Sequence, residues 1–115
     1  MQRDTMTIEQ RPDDGDIGQL EAEAARVAGI LKLMANESRL LILCRLAIAG
    51  EMSVGELSDV IGISQSALSQ HLAKLRADNL VDFRRQSQTL FYRLADGETA
   101  RLLVALKDIY CPGII

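Results

Sequence analysis

Two short segments, each with a capping residue at its start, constrain the fold more than any other feature of this chain. Ser53 can cap a short helix that continues to about Ile61, Gly62 offers a tight turn, and Ser64 precedes the run QSALSQHLAKLRADN. Serine is favoured before a helix because its side-chain oxygen accepts a hydrogen bond from a free backbone N–H of the first turn. The pattern therefore predicts two helices joined as a helix-turn-helix.

Three further helices are predicted around this unit. Apolar residues recur at helical spacing over residues 17–35. Asn36 can cap a second helix that is apolar on nearly every side and ends at Gly50, which is typical of a helix in a core. The run ETARLLVALKDIY predicts a last helix, which Pro112 prevents from continuing.

After Leu80 the apolar period changes from helical spacing to two, which indicates strands. The alternating apolar residues on either side of the RRQSQ segment are Val81, Phe83, Leu90, Tyr92 and Leu94. We interpret this stretch as a β-hairpin whose tip is basic, with Arg84 and Arg85 near the tip.

Composition agrees with a small, mainly helical domain. Of the 115 residues 48% are hydrophobic, but only 3% are aromatic and none is tryptophan, which favours a core of packed helices over a barrel or sandwich. We predict a mainly α fold with a small β-hairpin, in the order ααααββα. The predicted organisation is a flexible acidic N-terminal tail over 1–16, a winged helix-turn-helix domain over 17–112, and a C-terminal tail over 113–115.

No apolar stretch approaches the roughly 18 residues of a membrane span, and the first residues are too acidic and polar for a signal peptide. A cytoplasmic protein with no membrane partner is expected. In that compartment thiols stay reduced, so the two cysteines are expected to be packing residues or reactive groups rather than a permanent bridge.

The net charge of −3 conceals an uneven distribution. Through residue 23 the chain carries two arginines against seven acidic residues. Between Ser64 and Ala95 it carries five basic residues against two acidic ones. The acidic leader is typical of a solvated tail, and the local basic excess is compatible with a nucleic-acid partner.

The predicted fourth helix has two distinct faces. Leu68, Leu72 and Leu75 fall on one stripe that can pack into the domain, leaving the opposite face to solvent or to DNA. Small and amide side chains allow close approach to base edges, where Gln can pair with adenine and Ser with several bases. The candidate DNA-binding residues are Ser64, Gln65, Ser66, Ser69, Gln70, Lys74, Arg84 and Arg85.

From about Ala28 to Pro112 the sequence resembles the ArsR/SmtB winged-helix repressors, and SQSALSQHLAKLR is similar to the recognition helix of that family. The resemblance implies a homodimer, paired through its first and last helices, that represses an operon by binding double-stranded operator DNA. It implies a regulator rather than an enzyme, with no catalytic residue and no cofactor.

The metal-ligand patterns of that family are missing here. Ser53 and Gly55 occupy the cysteine positions of the third helix, and the last helix has no histidine, so no metal site is predicted. His71, the only histidine, is interpreted as a half-buried hydrogen-bonding residue.

Cys44, in LLILCRLA, and Cys111, in IYCP, resemble the thiol pair of the persulfide-responsive, sulfide-detoxification branch of the family, often called the BigR/SqrR type. That resemblance implies that reactive sulfur species join the two thiols through a di- or polysulfide bridge and lower operator affinity. Sixty-six residues separate the cysteines, so only the tertiary fold can bring them together. We expect Cys111, at an accessible helix end near Lys107, to react first and Cys44 to resolve.

Other interpretations remain open at this stage. The same thiols could sense a soft metal or metalloid, such as Cu(I) or As(III), or a general oxidant. A winged helix used only for protein contacts is a third possibility. A thiol oxidoreductase is disfavoured because the chain has no C-x-x-C motif and no base for a nucleophile apart from His71.

Overall fold

A computed structural model describes residues 14–113, with side chains from residue 17 onward. The helices and strands are α1 Asp14–Met34, α2 Glu37–Ala49, β1 Met52–Ser53, α3 Val54–Ile61, α4 Gln65–Ala77, β2 Val81–Gln86, β3 Thr89–Leu94 and α5 Gly97–Tyr110. The described residues up to Leu31 belong to one compact unit and those from Lys32 onward to a second. None of the helices in this part of the chain is long and apolar enough to cross a bilayer.

Helix α1 begins at Asp14, three residues before the predicted start. Residues 14–16 of the predicted acidic tail thus belong to α1, and residues 1–13 lie outside the described part of the chain. So do Ile114 and Ile115 of the predicted C-terminal tail.

The predicted helix caps of the second unit are confirmed. The side chains of Asn36, Ser53 and Ser64 each accept a hydrogen bond from a backbone N–H in the first turn of α2, α3 and α4. Ser53 also takes part in a reciprocal capping box, in which the Glu56 carboxylate accepts from the Ser53 N–H. Gly62 ends α3 in the left-handed region, at φ 80°, a conformation that favours glycine.

The sheet contains one strand more than the sequence predicted. Strand β1 pairs with β3 on the side opposite β2, which gives an antiparallel sheet of order β1-β3-β2. Met52 and Ser53 alone form β1, and two residues carry no detectable alternation of apolar and polar side chains.

The predicted hairpin link RRQSQ is wrong in its extent. Arg84, Arg85 and Gln86 pair in register within β2, and only Ser87 and Gln88 form the turn. Ser87 adopts φ 56°, the left-handed conformation that a two-residue hairpin turn commonly requires. The two arginines therefore extend from a strand rather than from the turn.

The core of the second unit lies where α2, α3, α4 and the sheet meet. Its fully buried side chains are Ile42, Leu43, Leu46, Leu57, Leu68, Leu72, Leu75, Leu80 and Val81. Helix α2 packs against α3, α4 and α5 and so contacts every other helix of this unit. The expectation that α2 belongs in the core is met by Ile42, Leu43 and Leu46, whereas its apolar residues Leu41 and Ile48 are exposed.

Candidate nucleic-acid interface and thiol pair

Helix α4 divides into a buried face and an exposed face, as its sequence predicted. Leu68, Leu72 and Leu75 have 1% exposure or less. The candidate contact residues of the helix and its cap are all exposed, namely Ser64, Gln65, Ser66, Ser69, Gln70 and Lys74. The apolar stripe therefore anchors the helix while its polar face stays accessible to a duplex.

A short turn, held by side-chain hydrogen bonds, connects α3 to α4. Besides the left-handed Gly62, the Ser58 hydroxyl donates to the Ile63 carbonyl at 2.6 Å. The Ser64 hydroxyl accepts from the Ala67 N–H at 3.1 Å, which begins α4 directly after the turn. The Ser64 side chain therefore caps α4.

His71 lies half-buried on α4, as expected of a structural residue. The guanidinium Nη1 of Arg39 lies 3.4 Å from His71 Nδ1, and Arg39 Nε donates to the Leu33 carbonyl at 2.7 Å. Burial, followed by the positive charges of Arg39 and Lys74, lowers the pKa of His71. The neutral form of the imidazole is thus favoured where His71 contacts Arg39 of α2.

A stacked contact connects the end of α4 to the sheet. The guanidinium of Arg76 lies 4.2 Å from the centre of the Phe83 ring, and Phe83 in turn packs on Tyr92 at 5.4 Å between ring centres. Arg76 was not among the candidate residues, because its spacing on α4 gives no sign of the ring that it covers. This contact connects the hairpin to α4.

Neighbouring residues in β2 point to opposite sides of the sheet, which separates the two candidate arginines. Arg84 binds Glu51 through two hydrogen bonds of 2.9 Å. Arg85 belongs to the same alternating set as Phe83, whose ring meets Arg76 of α4. Arg85 therefore lies on the α4 side of the sheet, and Arg84 on the other side.

The structure places the two thiols on packed elements. Cys44 lies midway along α2, Cys111 follows the last residue of α5, and these two helices contact each other. Burial raises the pKa of the Cys44 thiol, and the negative charge of the Cys111 thiolate raises it further. The Cys111 thiol is therefore near enough to Cys44 for its charge to oppose the ionisation of Cys44.

Cys44 opens onto a small apolar cavity. The cavity has a volume of about 320 Å³ and is lined by Cys44, Ala47, Ile48, Leu103, Val104 and Lys107. The Lys107 ammonium at its edge lies 2.9 Å from the Asp108 carboxylate. A small reagent can thus reach the half-buried Cys44 thiol from this side.

Cys111 has a more open setting. It is exposed, and its N–H donates to the Lys107 carbonyl at 2.7 Å, which ends α5. Pro112 follows, and neither cysteine is in a disulfide. Within residues 17–113, no group of three or more His, Cys, Asp or Glu side chains is arranged to hold a metal ion.

A helix-turn-helix with a polar outer face on its second helix, followed by a basic antiparallel wing, defines a DNA-binding winged-helix protein. Residues 36–82 match the family described as bacterial regulatory protein, arsR family. The transcriptional activator HlyU of Vibrio cholerae is 48% identical over 96 residues, which cover 84% of this chain and 88% of that protein. The chain belongs to the ArsR family and is a transcriptional regulator.

Solved structures agree with this assignment. The transcriptional repressor BigR from Xylella fastidiosa superposes with a TM-score of 0.76 at 42% identity, over 83% of this chain and 96% of that one. A possible ArsR-family regulator from Mycobacterium bovis, described as a homodimeric winged helix-turn-helix DNA-binding domain, gives a TM-score of 0.68 at 31% identity, over 85% and 86% of the two chains. The resemblance to the BigR type is thereby confirmed at the level of family and fold.

Proposed function

We propose that this chain is a cytoplasmic, homodimeric repressor whose affinity for operator DNA falls when reactive sulfur joins Cys44 to Cys111. The observation that carries the DNA-binding part is the exposed polar face of α4, anchored by three buried leucines and flanked by the basic strand β2. Ser66, Ser69 and Gln70 face the major groove and read base edges, while Lys74 and Arg85 contact phosphates.

A second copy would cover apolar side chains that the monomer leaves in solvent. Helix α5 exposes Val104, Ile109 and Tyr110, the last two at 67% and 76%. Helix α1, taken separately, exposes apolar side chains along its length, namely Ile17, Leu20, Val27 and Leu31. Pairing through the first and last helices would bury such surface, and the M. bovis relative is described as homodimeric.

The thiol switch can proceed without any oxidant other than the inducer, a low-molecular-weight persulfide RSSH. The Cys111 thiolate attacks the terminal sulfur of RSSH, forming Cys111–SSH and releasing RS⁻. The Cys44 thiolate then attacks the inner sulfur of that persulfide, forming a Cys44–S–S–Cys111 disulfide and releasing HS⁻. If Cys44 instead carries a persulfide anion, the terminal sulfur of that anion attacks the inner sulfur of Cys111–SSH. A trisulfide bridge then forms, and HS⁻ again leaves.

The surroundings of the thiols support this order of events. Cys111 is exposed at the end of α5, whereas Cys44 is half-buried and its pKa is raised by burial and by Cys111. A thiol with a raised pKa holds its proton and is the slower nucleophile at neutral pH. Consuming the Cys111 thiolate removes the charge that opposes ionisation of Cys44, which favours the second step.

A bridge between α2 and α5 would act on DNA binding through the contacts of α2. Helix α2 supports both α3 and α4, and α5 belongs to the proposed dimer interface. Recognition helices of a dimer must reach half-sites about 34–36 Å apart, so a small rotation of each reading head relative to the dimer axis disfavours simultaneous docking. A typical coupling of about 1–3 kcal/mol corresponds to a roughly 5- to 150-fold loss of affinity. The genes released would serve sulfide detoxification.

The decisive experiment measures binding to the duplex upstream of the chain's own gene. Reduced protein should bind it, and a persulfide donor should weaken binding in the wild type but not in Cys44→Ser or Cys111→Ser. Intact mass, recorded on each sample, should show the bridge only in the wild type. Weakening by Cu(I) or As(III) with no covalent mass change would contradict the persulfide mechanism, and no binding to any duplex at low salt would contradict DNA binding itself.

A further inference from the structure

Arg84 on the hairpin is held by partners within the protein. Besides its two hydrogen bonds to Glu51, its guanidinium donates to Gln86 Oε1 at 2.8 Å and lies 4.5 Å from the centre of the Phe91 ring. A planar guanidinium that donates to both oxygens of a carboxylate and stacks on a ring has a fixed orientation. We call Glu51, Arg84 and Phe91 the wing clasp.

The wing clasp extends across the whole width of the sheet. Phe91 lies directly opposite Arg84 in the β2–β3 pair and opposite Ser53 in the β1–β3 pair. Glu51 lies just before β1 and follows Gly50, the residue that caps the end of α2. The wing clasp therefore connects strand β2 to the short segment that joins α2 to β1.

Arg85 provides a natural comparison within the same strand. It has the same charge and is also exposed, but it lies on the opposite side of the sheet. On that side, two residues earlier in β2, Arg76 of α4 covers the Phe83 ring. A duplex bound along α4 would meet that side. Of the two arginines, only Arg85 lies on the side of the sheet that faces α4.

We infer that Arg84 is a positioning residue, which sets the orientation of the wing through Glu51 and Phe91, whereas Arg85 makes the phosphate contact. This inference rests on the DNA binding proposed above. It divides a pair of arginines that the sequence alone treats as equivalent DNA contacts.

The two roles give different responses to salt. Each phosphate contact that a protein makes steepens the fall of log affinity with log salt concentration by about 0.9. Loss of a contact lowers that slope, whereas loss of wing orientation lowers affinity at a similar slope. Exposed ion pairs contribute little, so breaking the clasp should reduce affinity about two- to fivefold.

The test compares Arg84→Gln, Arg84→Lys, Arg85→Gln and Arg85→Lys by fluorescence anisotropy with the upstream duplex at several salt concentrations. Arg85→Gln should lower the salt slope by about 0.9, and Arg85→Lys, which keeps the charge, should retain most of the slope. Both Arg84 variants should bind about two- to fivefold more weakly at the wild-type slope, because lysine cannot reproduce the bidentate, stacked geometry.

Glu51→Gln separates the interpretations further. If Arg84 positions the wing, Glu51→Gln should weaken binding as Arg84→Gln does, and the double variant should be no worse than either single one. If Arg84 instead binds a phosphate in competition with Glu51, then Glu51→Gln should strengthen binding and steepen the salt slope. The inference would be overturned by stronger binding of Glu51→Gln with a steeper salt slope. It would also be overturned by a lower salt slope in Arg84→Gln, or by unchanged affinity in both Arg84 variants. A wild type that binds no duplex would refute the proposed function instead.

Discussion

The chemistry proposed for the two thiols depends on the immediate surroundings of Cys44. It is half-buried on α2, and both burial and the Cys111 thiolate raise its pKa. Residue spacing could not predict this, since the cysteines are far apart along the chain and lie on neighbouring elements only because α5 packs on α2. The pairing of Arg84 with Glu51 could not be predicted either, because these two residues are also far apart along the chain.

Replacing Cys111 by serine should lower the pKa of Cys44 because the neighbouring negative charge is removed. The pKa should stay above the ordinary thiol value, because burial, the larger cause, remains. The pH dependence of iodoacetamide labelling at Cys44, followed by peptide mass spectrometry in the wild type and the variant, measures this change. An unchanged labelling profile would mean that the two sulfurs do not interact.

Ser64→Ala should destabilise the protein by about 1 kcal/mol, because the Ala67 N–H loses the acceptor that caps α4. Ser66→Ala, two residues further along the same helix and exposed, should change the free energy of unfolding by no more than about 0.5 kcal/mol. Urea unfolding of both variants checks the difference. Equal effects would show that the Ser64 cap does not stabilise α4.

At the level of helices and strands, local signals predicted most of the described fold. Capping serines, Asn36 and Gly62 mark helix ends through hydrogen bonds between residues close in sequence, and each was confirmed. Strand β1 was missed because its pairing with β3 is a long-range contact over only two residues. The stacking of Arg76 on Phe83 was missed because it joins a helix to a strand.

The exposed face of α4 supports a prediction about base readout. Gln70→Ala should weaken binding to the upstream duplex by about 1–3 kcal/mol, roughly 5- to 150-fold, because a bidentate contact to a base is lost. Binding to an unrelated duplex, which depends on phosphate contacts, should change little and provides the control. Competition anisotropy with both duplexes measures the ratio, and an equal loss on both would exclude Gln70 from base readout.

For the whole molecule, the proposed dimer accounts for the apolar side chains that α5 leaves in solvent. Ile109→Asp should shift the protein toward monomer, because a carboxylate would be buried at the interface. Leu41→Asp, at an exposed apolar position on α2, is the control and should leave the oligomeric state unchanged. Analytical ultracentrifugation over a range of concentrations distinguishes the two, and an unshifted Ile109→Asp dimer would place the interface elsewhere.

The central claim is that one covalent link between α2 and α5 changes how the protein binds its operator. The most direct measurement follows a single wild-type sample through three states: reduced, bridged by a persulfide donor, and reduced again with excess thiol. Its affinity for the upstream duplex should fall about 5- to 150-fold when intact mass shows the bridge, and should recover fully when the bridge is removed. Equal affinity of the bridged and reduced forms would contradict the claim.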